Sequence, residues 1–485
     1  MRQVRTLAII VVLCTGCTWD NAIPDGFYQG YPTDIGEIVI GKCAVSGCHN
    51  SASYIAAGGL NLSSWDKLFE GTLDNSAVIP YRSDQSFLTF FINSYTDLGP
   101  ILTPTMPYNG SVLSKEEVLT VIDWVNSGAP NDEGFVKFSD DTQRKKWYVT
   151  NQGCDLVAVF DQQTSLAMRY IDVGAYASIE SPHMVEVSPD GNIWAVCFYI
   201  GDVLQVYNTS DDALKGNVVI GSGSWNTLAI SPNSKYAFVV NLAADGSVAV
   251  VNLETMTLEE TYQGFGLLEF PHGSAMDSLG NTLYITSQFG NYINKIDVTN
   301  INAPVFEKIV VATGETANGT SLYDPHEICF SPDNANYFVT CQKSNEVRVF
   351  DPANDSLIAV IPVGKFPQEI TFSSVYDYAY VSCMEDDITF PGTIGSVSVL
   401  NYKTFTHVKS IYTGYQPHGI AADDNKMQVY VINRNANLSG PAPHHTTECG
   451  GRNGYVTIID MNTLELVDGY KAELSVDPYF VSIRH

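Results

Sequence analysis

The sequence predicts a multidomain chain: a small all-α domain over residues 34–131, followed by an all-β, seven-bladed β-propeller over residues 144–485. Three observations carry this. A strand pattern recurs seven times, aligned on Tyr148, Ala195, Phe238, Tyr284, Phe338, Tyr380 and Tyr430, at spacings of 47, 43, 46, 54, 42 and 50 residues. Short-stranded repeats of that size indicate four-stranded blades arranged around an axis. Upstream the pattern turns helical: Ser114-Lys115-Glu116-Glu117 reads as a capping box. Behind it Val118, Val121, Ile122, Trp124 and Val125 fall at helical spacing and end at Gly128. Composition agrees, because 485 residues, 45% of them hydrophobic, exceed one compact unit, and 27 Tyr, 22 Phe and 38 Gly suit short strands and turns.

The N-terminus comes first in order. Arg2 and Arg5 precede an apolar run from Leu7 to Leu13, then Cys14-Thr15-Gly16-Cys17. A basic start and a short greasy stretch make an export signal, too short for a spanning helix. Its end resembles the lipobox of bacterial lipoproteins, which implies residues 1–17 as the signal and Cys17 as the lipidated residue. The chain is then expected in the periplasm or at the cell surface, lipid-anchored to a membrane, the outer one by expectation. Acidic residues outnumber basic ones 53 to 25, a formal charge of −28, so nucleic acid is excluded as a partner. No later stretch of about 18 apolar residues offers a transmembrane helix. Ten cysteines in 485 residues make no disulfide-dense scaffold.

After a linker, residues 18–33, comes Cys43-Ala44-Val45-Ser46-Gly47-Cys48-His49. Two thiols can each form a thioether to a haem vinyl group, and the adjacent imidazole can ligate the iron. The constellation resembles the attachment site of class I cytochrome c, with four residues between the cysteines instead of the usual two. The resemblance implies one haem c, held by Cys43 and Cys48, with His49 as one axial ligand. Met106, in Pro104-Thr105-Met106-Pro107, would be the other, and the capped helix would be the terminal helix against the haem. A Cys43–Cys48 disulfide, or zinc with His49, are the alternatives, the latter lacking an evident fourth ligand.

The repeats resemble the YVTN family of propellers. Tyr148-Val149-Thr150-Asn151 spells that motif, and Ser188-Pro189-Asp190-Gly191, Ser231-Pro232-Asn233 and Ser331-Pro332-Asp333 match its recurring turn. Asp477-Pro478-Tyr479-Phe480-Val481 reads as the innermost strand that closes the ring. At the start of the innermost strands stand His183, Asn226, His272, His326, Gln368, His418 and Tyr479, four of them histidines preceded by Pro182, Pro271, Pro325 and Pro417. Imidazoles converging on the channel mouth suit copper. His444, His445 and Cys449, in the long Arg434–Asn453 loop, are candidates beside them; the bland reading is a purely structural role. Cys449 has a competing use, a disulfide to Cys154 in the neighbouring loop, while Cys197, Cys329, Cys341 and Cys383 read as small buried residues.

The resulting expectation is a lipid-anchored monohaem c-type cytochrome in electron transfer, the propeller supplying a site for a redox partner protein, a small-molecule substrate or a metal. The alternative is a ligand- or protein-binding propeller lipoprotein whose haem is ancillary. No nucleophile triad or phosphate loop is evident, so hydrolysis and phosphoryl transfer are not supported; an enzyme, if it is one, is expected to be an oxidoreductase, with no catalytic residue named.

Overall fold

The computed structural model describes residues 27–72, 75–176, 178–436, 449 and 452–484. Cys17, His444 and His445 therefore lie outside the described residues. Among those described, 29 strands form seven sheets, six of them with four strands in sequential order from the channel outwards and the first with its innermost strand supplied by the end of the chain. The seven aligned residues all fall in the second strand of a blade, from Lys146–Asn151 in the first to Gln428–Asn435 in the last. The last sheet carries one extra short strand, Ala472–Leu474, paired to Gly454–Asp460.

The ring closes as the C-terminal motif predicts. Pro478–Ile483 is the innermost strand of the first blade and pairs antiparallel with Lys146–Asn151, Val481 opposite Val149. Closure joins the two ends of the chain in one sheet, so only the outer strand of each blade is left as an edge. The middle strands are buried on both faces, between adjacent blades, so Trp147, Val149, Ala158 and Phe160 are all fully enclosed. Outer strands such as Thr257–Gln263 face water and are polar. Between the first and last blades Trp147 lies flat against Phe160 at 3.7 Å and against Tyr430 at 4.5 Å, ring centroid to centroid.

The N-terminal segment is a set of short helices around one core. Helix α1 spans Thr33–Ile38 and runs into a widened turn, Val39–Cys43; α2 is Trp65–Leu68, α3 Phe87–Ile92 and α4 Lys115–Asn126. The capping box at Ser114 and Glu117 is present, each side chain bonding the other residue's backbone N–H. Ile35, Trp65, Leu88, Val118, Val121 and Val125 fill the core. Two indoles fix the end of the segment: Trp65 donates to the Ala129 carbonyl and Trp124 to that of Pro130, both at 2.9 Å.

This segment sits on the propeller through polar contacts, the one made by Arg452 buried. The Arg452 guanidinium donates to Gln85 Oε1 (2.7 Å) and to the Gln85 carbonyl (2.6 Å), with the rings of Phe87, Phe90 and Tyr170 around it. The Ser76 hydroxyl donates to the Ala167 carbonyl at 2.6 Å, and Arg82 pairs with Asp172.

Candidate functional site

Cys43 ends the turn that continues α1, and the following loop folds back so that the His49 N–H donates to the Cys43 carbonyl at 3.1 Å. Gly47, with φ +82°, takes the left-handed conformation this return needs. The loop places Cys43 and His49 on the wall of a cavity of about 400 Å³, within the range of cofactor pockets. Met106 lines the same cavity, brought there by its N–H bond to the Phe91 carbonyl at 2.8 Å. The remaining wall is mostly apolar, from Leu60, Leu62, Phe87, Phe91, Ile92 and Leu102.

The donor chemistry suits haem c. His49 Nδ1 lies 3.0 Å from the Leu60 carbonyl, which can only accept, so Nδ1 carries the proton and Nε2 keeps the lone pair a metal needs. Cys43 and Cys48 are free thiols, not bridged to one another. Burial, with the neighbouring Cys48 adding to it, pushes the Cys43 thiol up to about 11. Cys48 stands at the foot of the loop, outside the residues that line the cavity.

The second constellation is the channel mouth. His183, His272, His326, Gln368 and Tyr479 line a polar hollow of about 320 Å³ together with Arg434. Neighbouring ring centroids lie 6.4 Å apart for His183 and His272, 4.0 Å for His272 and His326, and 5.9 Å for His326 and His418. The repeat motif explains how they are held. Thr150 donates its hydroxyl to the His183 carbonyl, Thr286 to that of His326, Thr340 to that of Gln368 and Ser382 to that of His418. The hydroxyl in the third place of the motif thus fixes the mouth residue of the next blade. The backbone just before is strained: Ser181, Phe270, Asp324, Phe366, Gln416 and Asp477 all have φ between +47° and +59°. Each costs about 1–3 kcal/mol, and such strain gathers where geometry serves a function.

Burial holds the imidazoles neutral. It lowers His183 to about 3, with the His272 ring adding, and His272 to about 4; His326 and His418 are likewise driven well down. Copper is the sequence expectation at this mouth. Among the described residues, no three or more His, Cys, Asp or Glu side chains form a group placed to hold a metal ion. Cys449 is used otherwise, in a disulfide with Cys154. Cys197, Cys341 and Cys383 are buried as expected, and Cys329 is half-buried.

Sequence reasoning missed a tier of carboxyls on the same innermost strands. Glu327 and Glu369 are buried side by side and hydrogen-bond each other, and His418 Nδ1 lies 3.8 Å from Glu369 Oε1. Burial raises both carboxyls, and it raises Glu186 to about 8, Glu327 adding to the effect. The only signal in sequence is a glutamate inside an otherwise apolar strand.

The two tiers act on stability with opposite signs. A carboxyl raised in the fold contributes fully below its ordinary value of 4.5 and loses that contribution as pH rises through about 8, as for Glu186. An imidazole lowered in the fold contributes above 6.5 and loses it as pH falls towards about 3, as for His183. Glu186→Gln is therefore expected to flatten the alkaline fall in Tm and leave the acid fall unchanged. Thermal unfolding followed by circular dichroism across this pH range checks it; an unchanged alkaline limb contradicts it.

Comparison with known proteins bears on the propeller. No family model matches the chain. It is 26% identical over 196 residues to the uncharacterized protein YncE of Salmonella typhimurium, covering 40% of this chain and 50% of that one. The chain thus spans about half the length of the curated relatives it matches. The fold is a seven-bladed propeller, and the YncE-like relatives fit the YVTN type. A putative 6-phosphogluconolactonase from Bacteroides uniformis is similar at TM-score 0.53 and 15% identity, covering 70% of this chain and 99% of its own. Dihydro-heme d1 dehydrogenase NirN in complex with DHE is similar at TM-score 0.49 and 12% identity, covering 86% of this chain and 95% of its own. At these identities the likenesses concern fold alone.

Proposed function

We propose that this protein is an exported, lipid-anchored monohaem c-type cytochrome that transfers electrons, with the propeller's channel mouth as the site for a redox partner or small-molecule substrate. One observation carries the reading: a single, mostly apolar cavity gathers Cys43 and His49, from one loop, and Met106, from 57 residues further along the N-terminal segment. Cys43 and Cys48 would anchor the haem, and His49 and Met106 would be its axial ligands. When bound, the haem supplies reversible one-electron chemistry at a potential that His/Met ligation raises. The chain's own contribution is to hold the His49 ring through Leu60, to exclude water with Phe87, Phe91 and Leu102, and to present the wall that a partner approaches. Cys17 would carry the lipid.

The mouth supports its part by its inventory. His272 Nδ1 and His326 Nδ1, on residues that line the hollow, are buried without a hydrogen-bond partner among the described residues, which supports a ligand there. The test is a membrane-fraction preparation washed in acidic acetone, run on a denaturing gel and stained for peroxidase activity. A stained band near the 53.0 kDa of the chain, with a reduced-minus-oxidised c-type spectrum, is expected. A colourless band overturns the reading.

A further inference from the structure

The hollow at the channel mouth differs from most small-molecule pockets, whose walls are largely apolar. Among the described residues on its wall only Leu242 and Phe366 lack a polar group, and four glutamines, Gln152, Gln288, Gln342 and Gln368, stand beside the histidines. Tyr199 and Tyr479 flank His183, their ring centroids 5.7 and 4.4 Å from its own. Tyr199 stays exposed at the rim and offers a broad ring with a polar tip to whatever enters. Two glutamines add to the unpartnered imidazole nitrogens of His272 and His326. Gln152 Nε2, a donor, and Gln288 Oε1, an acceptor, are buried without a hydrogen-bond partner among the described residues. Gln288 spends its other end on Gln342, which leaves Oε1 free to accept.

Charge in the hollow is balanced. Arg434 is the one charged side chain on its described wall, and Asp477 answers it twice, at 2.7 Å from Nε and 3.0 Å from Nη2. The guanidinium also lies over the Tyr479 ring, 4.8 Å from its centroid. Burial keeps the imidazoles unprotonated near neutral pH. Of the nearby carboxyls, Glu369 bonds Glu327 and Glu385 accepts from Gln416 at 2.9 Å, and neither lines the hollow. An anion entering here meets no unpaired cation, and a cation meets no carboxylate on the wall; either would be desolvated without a partner. An apolar molecule would leave the buried polar atoms unpaired.

We propose that the channel mouth binds an uncharged, hydroxyl-rich small molecule of the size of a sugar ring. The inference rests on the reading of the mouth as a small-molecule site and names the class of its ligand. A hydroxyl both donates and accepts, so it satisfies an acceptor such as Gln288 Oε1, a donor such as Gln152 Nε2, and an imidazole Nδ1 in either tautomer. The carbon-bound face of such a ring suits the exposed Tyr199. A volume of about 320 Å³ is at the small end for ligand pockets and fits a single ring better than a polymer.

The experiment is saturation-transfer NMR on the full-length protein, in a detergent without a sugar headgroup. The probes are glucose, galactose and mannose, with glucuronate and glucosamine as charged counterparts. A neutral hexose is expected to give a saturable signal and both charged rings a weaker one. Gln288→Leu is expected to weaken the neutral ligand's binding roughly threefold to tenfold, the worth of one hydrogen bond. Gln163→Leu, in an exposed turn outside the hollow, leaves it unchanged. If Gln288→Leu does not fold, Gln152→Leu is read in the same way. Equal or tighter binding of a charged ring overturns the inference, as does a hexose signal that neither glutamine variant moves. A charged ring that binds and is weakened by Gln288→Leu overturns the ligand class while the mouth stands as a small-molecule site. No saturable signal from any probe also overturns the inference, and the haem reading is decided separately, on the peroxidase-stained gel.

Discussion

The Cys43→Ser/Cys48→Ser protein is expected to leave a denaturing gel with no peroxidase-active band at all. Both thiols are free in the fold, and a thioether survives denaturation where axial ligation does not. Each single variant keeps one link and hence a weaker band. His49→Ala separates attachment from ligation: the covalent band persists, while the visible spectrum changes because the ring held by the Leu60 carbonyl is gone. Equal staining in the double variant and wild type removes the two cysteines from any role in attachment.

Trp147→Ala is expected to cost about 3–5 kcal/mol of stability, the range for emptying a large aromatic site in a packed core. The indole is fully buried and lies against Phe160 and Tyr430, one ring from each of the two blades that meet where the circle closes. Removing it loosens the first blade and its contact with the last together, and neighbouring strands are held by too many other bonds to collapse into the gap. Denaturant unfolding should show the loss as a lower midpoint. Phe265, wholly exposed, gives the control: Phe265→Ala should stay within about 0.5 kcal/mol of wild type.

The propeller was legible because its period is written seven times, and each aligned residue falls in the second strand of a blade. The mouth histidines were legible for the same reason, since one position repeats with the blades. The first three helices were not, because stretches of 6, 4 and 6 residues are too short for a helical period to declare itself. Helix α4, with 12 residues and a capping box, was. Glu186, Glu327 and Glu369 escaped because one acid in an apolar strand looks like a solvent-facing residue until the ring turns it inward. Glu473, which lines the cavity of Cys43 and His49, escaped for a different reason. It meets Asn75 across 398 residues of sequence, and nothing local marks a partner so distant.

Ring closure by Pro478–Ile483 also fixes an order of assembly. Synthesis delivers the loop of Cys43 and His49 first and the strand that completes the first blade last, so the circle stays open until nearly the whole polypeptide has emerged. Arg452 and Glu473 come from that same late stretch. The Glu473 side of the cavity is therefore the last part of its lining to arrive.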